Sequence, residues 1–168
     1  MNRTLPVLLA PRALNLVALL FCLGAIGGAL ILQHWAGMEP CPLCIFQRIA
    51  VLAAAAVLVV AVLHNPGPTG HRVYAGLTIL AAGTGAGIAI RHLWLQSLPP
   101  HQMPACGPGM DYIMDTFPFH EALAMVFAGR ADCGIVETFL GISIPGWTLI
   151  VTGFLLMAAF YQLFRPLR

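Results

Sequence analysis

Four apolar runs, each close to the length of a bilayer crossing, leave this chain few options other than a bundle of membrane-spanning helices. A helix needs ~20 apolar residues to cross ~30 Å of hydrocarbon. The runs fall at about residues 13–32, 45–63, 73–90 and 147–164 of the 168-residue chain. Arg48 is the one charge inside any of them. Composition agrees: the chain is 60% hydrophobic and 8% charged, outside the range of a soluble globular domain. The expected fold is an all-α integral membrane protein, a single domain over residues 1–168 built as a four-helix transmembrane bundle. The first run exceeds the 7 to 15 residues usual for a signal h-region, so it reads as an uncleaved helix although Arg3 and Arg12 precede it.

Four spans place both termini on one side, and charge says which. Arg3, Arg12, Arg72, Arg165 and Arg168 flank the spans on the terminal side, against Arg91 and Arg130 in the opposite loops. The positive-inside rule therefore predicts cytoplasmic termini. The acids Glu39, Asp111, Asp115, Glu121, Asp132 and Glu137 then all fall outside. So do Cys41, Cys44, Cys106 and Cys133, whereas Cys22 lies within the first span and reads as a small buried hydrophobe. In a bacterial inner membrane the outer side is the periplasm, where disulfides persist.

The outer loops, about 33–44 and 91–146, are where chemistry is expected, and the second is long. It carries the breaker-rich tract Met103-Pro104-Ala105-Cys106-Gly107-Pro108-Gly109, which predicts an exposed strap around Cys106. Between Pro118 and Gly129, Phe119, Leu123, Val126 and Phe127 recur at helical spacing. They predict a short helix, lying on the membrane surface or capping the bundle. The inner turn 64–71 is dense in Pro and Gly and reads as a tight connector. Gly24, Gly27, Gly28, Gly83, Gly85 and Gly87 suggest close helix packing, and Trp35, Trp94 and Trp147 suggest anchors at the outer interface.

Cys41-Pro42-Leu43-Cys44 opens the second span. A C-x-x-C pair serves thiol redox chemistry, half a zinc site or, before a His, haem attachment. Ile45 excludes the last. A four-cysteine zinc site would need Cys106 and Cys133, which are far more widely spaced than structural zinc ligands usually are. Pro42 suits a first helical turn, so Cys44 is expected over the positive end of the helix dipole, where a thiol ionises readily. Arg48 follows one turn later with Gln47 beside it. Arg48 has two readings: an interfacial cation snorkelling to water, or a cation that steadies a Cys44 thiolate and the oxyanion of a quinone under reduction.

With these residues in view, the chain resembles the DsbB family of periplasmic disulfide-forming membrane proteins over essentially its whole length. The likeness rests on four spans, Cys41-Pro42-Leu43-Cys44 opening the second, Arg48 a turn later, Cys106 and Cys133 in a long second outer loop, and His92-Leu93-Trp94-Leu95-Gln96 after the third span. The resemblance implies a relay. A reduced DsbA-like periplasmic thiol-disulfide oxidoreductase attacks a Cys106–Cys133 disulfide at Cys106, and the released Cys133 attacks the Cys41–Cys44 pair at Cys41. Cys44 then stands as a thiolate against a membrane quinone, ubiquinone or menaquinone, which accepts the electrons. The implied partners are that soluble protein, lipid and quinone, with no nucleic acid and no metal. Arg48, His92 and Gln47 are the candidate quinone-side residues; the resemblance suggests His92, with an ordinary interfacial histidine as its alternative. DsbA is an oxidant near about −120 mV and structural disulfides lie below about −300 mV, a gap of roughly 8 kcal/mol, so the disulfides here are expected to be labile or coupled to quinone.

Two rival classes are separable. A vitamin K epoxide reductase type would carry its reactive pair at a late helix, whereas Cys41 and Cys44 open the second span. A tetraspan scaffold with static disulfides or zinc would hold metal and ignore quinone.

Overall fold

The computed structural model describes residues 10–38, 40–99, 115–128 and 136–164. Four long helices dominate it: α1 (Pro11–Trp35), α2 (Pro42–His64), α3 (Pro68–Gln96) and α5 (Ile144–Phe164). Each is long and apolar enough to cross a membrane, so the protein is a multi-pass membrane protein. Lipid offers backbone groups no hydrogen-bonding partner, and a helix satisfies its own.

Three of these helices start on proline, which loses nothing at a first turn whose N–H groups are unpaired anyway. The helices outrun their apolar cores. At 1.5 Å per residue the 29-residue α3 is about 43 Å long, more than a straight crossing needs. The connections shrink accordingly. The turn expected over 64–71 reduces to residues 65–67, because Asn65 ends α2 in the left-handed conformation (φ 42°) and Pro68 already begins α3. The connection between α3 and α5 runs over residues 97–143, between Gln96 and Ile144.

Within it, α4 (Phe119–Ala128) occupies the stretch where a short helix is expected. It caps the bundle, since Val126 is 1% exposed and packs in a cluster with Leu43, Ile88 and Leu95. His120 and Glu121 face outward. A two-stranded hairpin, β1 (Thr138–Phe139) with β2 (Ile142–Ser143), precedes the last helix of this otherwise helical fold. Leu140 and Gly141 both take positive φ, 53° and 80°, as a tight two-residue hairpin turn requires. Trp147 fastens the hairpin to α5 by donating its indole N–H to the Phe139 carbonyl at 2.9 Å.

The core is built from small side chains. Ala18, Cys22, Ala54, Ala55 and Ala82 pack with Leu19, Val51, Leu58, Val151 and Leu155. Because lipid tails are as apolar as leucine, close van der Waals contact and not hydrophobicity holds such helices together. Cys22 is fully buried here, as expected of a small apolar filler. The glycine expectation needs correcting. A Cβ at Gly85 would meet Thr152 Cγ2 at 3.2 Å and Ala50 Cβ at 3.3 Å, so Gly85 marks a close approach of α2, α3 and α5. At Gly24, Gly27, Gly28, Gly83 and Gly87 a Cβ meets nothing within 4 Å among the described residues. Leu20, Leu23, Ile31, Val60, Leu80 and Met157 point outward, an apolar surface suited to hydrocarbon.

Candidate active site

The C-terminal ends of α1 and α3 and the N-terminal ends of α2 and α5 meet at one end of the bundle, and the C-x-x-C pair lies there. Cys41 is the N-cap of α2: its extended backbone (φ −64°, ψ 161°) turns the sulfur back to accept the Cys44 N–H at 3.3 Å. Its carbonyl accepts from the Ile45 N–H at 3.1 Å. Cys41 Sγ itself occupies the capping position, so both cysteines lie in the first turn of the helix. The two sulfurs stand 3.1 Å apart, unbonded. Pro42 between them keeps the first turn rigid and Leu43, fully buried, pins it to the core.

His92 reaches the pair from α3. It is 2% exposed, with Nε2 3.8 Å from Cys41 Sγ and Nδ1 3.9 Å from Cys44 Sγ. On α2, Gln47 is equally buried and its side-chain amide lies 3.1 Å from His92 Nδ1. The Gln47 Oε1 has no hydrogen-bond partner among the described residues. Thiols, imidazole and amide thus form one contiguous group across the α2–α3 seam.

Arg48 is directed to the other seam. Its guanidinium donates to Gln33 Oε1 and, at 3.4 Å, to the Ala29 carbonyl, both on α1. Sequence reasoning did not single out Gln33. A glutamine on the last turn of a membrane helix was the available signal. Nearby, Arg91 stacks 4.2 Å over the Trp94 ring, and Trp35 and Trp94 are exposed at the same end, as interfacial anchors are. Cys106 and Cys133 lie outside the described residues, as does the strap expected around Cys106.

A dithiol capping a membrane helix, backed by a buried imidazole, defines a class: a multi-pass membrane protein built for thiol chemistry. Comparison with known proteins narrows the class. The model of the family described as "Disulfide bond formation protein DsbB" matches residues 11–162. A protein of Hahella chejuensis named "Disulfide bond formation protein B" is 47% identical over 164 residues, covering 96% of this chain and 99% of that one. One of the same name from Chromobacterium violaceum is 51% identical over 130 residues, covering 77% and 78% respectively. No solved structure is significantly similar. The chain belongs to the DsbB family of disulfide bond formation proteins, and its chemistry is that of a disulfide oxidoreductase.

Proposed function

We propose that the protein reoxidises a DsbA-like periplasmic thiol oxidase and passes the electrons through two cysteine pairs to a membrane quinone. The bundle sits in a bacterial inner membrane with both termini cytoplasmic, consistent with the arginine distribution. The partner's thiolate attacks the Cys106–Cys133 disulfide at Cys106, giving a mixed disulfide and freeing Cys133. The partner's second thiolate resolves that bond and leaves as a disulfide, while Cys133 attacks a Cys41–Cys44 disulfide at Cys41. Cys106 then displaces Cys41, so the outer disulfide is restored and the inner pair holds two electrons. Two electrons and two protons pass to the quinone, giving quinol and closing the Cys41–Cys44 bond again.

The single observation that carries this reading is the 3.1 Å spacing of the two sulfurs at the mouth of a membrane helix. Such a pair closes with little movement where a lipid-soluble acceptor can reach it. The buried His92, within 4 Å of both sulfurs, is suited to hold and move the protons that accompany the electrons. Gln47 orients that ring. Arg48 serves the quinone carbonyl: its bonds to Gln33 and Ala29 hold the head group at the α1–α2 seam and do not exhaust a guanidinium's five donors.

The test is stopped-flow mixing of the protein in detergent with reduced DsbA and a soluble quinone, read by quinone absorbance. Reduction that requires both Cys44 and Cys106 supports the relay, and none in the unaltered protein refutes it. Arg48→Ala is expected to raise the quinone KM about 10- to 100-fold, the range for losing a hydrogen bond to a charged group of about 1.5–3 kcal/mol. An unchanged KM removes Arg48 from the quinone site.

A further inference from the structure

We infer that the reduced Cys41–Cys44 pair, together with His92, is a binding site for a single thiophilic metal ion of the zinc, cadmium and copper(I) class. The three donor atoms come from two helices and lie within 4.8 Å of one another. The sulfurs are 3.1 Å apart, and His92 Nε2, the nitrogen that would ligate, lies 3.8 Å from Cys41 Sγ. A tetrahedral ion with Zn–S of about 2.3 Å and Zn–N of about 2.0 Å needs donors roughly 3.5 to 3.8 Å apart. His92 Nε2 must close on Cys41 Sγ by about 0.3 Å and the sulfurs must open by about 0.7 Å, small rotations of the three side chains. Thiolate and imidazole together select this class of ion over magnesium or calcium.

Gln47 supplies the independent observation. A ring nitrogen that ligates a metal is normally oriented by an acceptor on the other ring N–H. Gln47 is 2% exposed, its amide is 3.1 Å from Nδ1, and its Oε1 has no partner among the described residues. With the amide turned over, Oε1 accepts an Nδ1 proton and His92 presents the Nε2 lone pair toward Cys41. Three protein donors leave the fourth position to water or chloride.

Binding replaces two thiol protons with two metal–sulfur bonds and releases the protons to solvent, with no change in oxidation state. The disulfide form lacks thiolates and does not bind. The ion therefore competes with re-formation of the Cys41–Cys44 bond, and the consequence that metal arrests turnover rests on the relay proposed above. The binding itself does not, since it is measured with neither quinone nor partner present.

The test uses the full-length chain carrying Cys106→Ser and Cys133→Ser, so that the loop thiols do not contribute. It is reduced with a phosphine, freed of reductant and titrated with cadmium chloride. A saturable thiolate-to-cadmium charge-transfer band at one ion per chain is expected, displaced by zinc and absent once the pair is oxidised. His92→Ala and His92→Gln are expected to weaken binding at least tenfold, and Gln47→Leu about tenfold. Equal affinity in the folded His92 variants, or no saturable band, overturns the site. A second readout needs no variant at His92: with nitrogen-labelled histidine, zinc is expected to shift the His92 ring resonance of the reduced chain and not of the oxidised chain. An unmoved resonance overturns the proposal even if the variants fail to fold.

Discussion

Two buried polar pairs tie helices together inside this bundle, and they differ in what surrounds them. Gln47 and His92 join α2 to α3 at the cysteine end. Gln162 joins α5 to α1 by donating to Asn15 Oδ1 at 2.7 Å, near the chain termini. All four residues are buried, and both pairs leave an amide atom without a partner among the described residues: Gln47 Oε1 in one, Asn15 Nδ2 and Gln162 Oε1 in the other. Burial and hydrogen bonding are therefore nearly the same at the two sites. The difference is that His92 also lies within 4 Å of two sulfurs, whereas Asn15 and Gln162 carry no nucleophile and no titratable group. A buried polar pair in a membrane is a packing device by default, and it becomes a site when it borders reactive atoms.

The sharpest way to break this contrast is to remove a sulfur. Cys44→Ser is expected to abolish quinone reduction, at least a hundredfold, in the stopped-flow assay. Measurable turnover through Cys41 alone would detach the pair from the chemistry. His92→Ala comes next, with a loss of about 10- to 100-fold in turnover, the scale of removing a positioned acid–base group. Its thermal unfolding should shift no more than that of Gln162→Leu. Gln47→Leu should lower turnover several-fold and be partly rescued by Gln47→Asn, because its role passes through His92. The smallest effect is expected at the opposite end. Gln162→Leu should keep turnover within twofold and cost about 1 kcal/mol in unfolding experiments, the scale of an interhelical hydrogen bond in lipid. A large loss of turnover there would show the two pairs to be coupled through the bundle.

The dithiol was readable in the sequence because both cysteines, the proline and the helix start sit within four residues. In the sequence His92 is legible only as part of the His92-Leu93-Trp94-Leu95-Gln96 tract, where an ordinary interfacial histidine is an equal reading. Its approach to Cys41 spans 51 positions along the chain. Arg48 shows the limit from another side. Helical spacing puts it one turn from Cys44, yet its guanidinium bonds Gln33 and Ala29 on α1, a choice that depends on how α1 lies against α2. The glycines teach the same lesson, since among the described residues only Gly85 of the six singled out sits where two neighbouring helices close on it.

By itself the sequence determined the number of spans and the position of Cys41 and Cys44 at the start of one of them. Hydrocarbon thickness, helix rise and proline's preference for a first turn act on contiguous residues. Only the tertiary structure decided that His92 and Gln47 meet the sulfurs, that Gln33 receives Arg48, and that Gln162 reaches Asn15 across 147 positions. These helices are apolar on nearly every side, so periodicity does not say which face turns inward. Rotation and register are fixed by how small side chains such as Ala50, Gly85 and Thr152 fit between neighbouring helices.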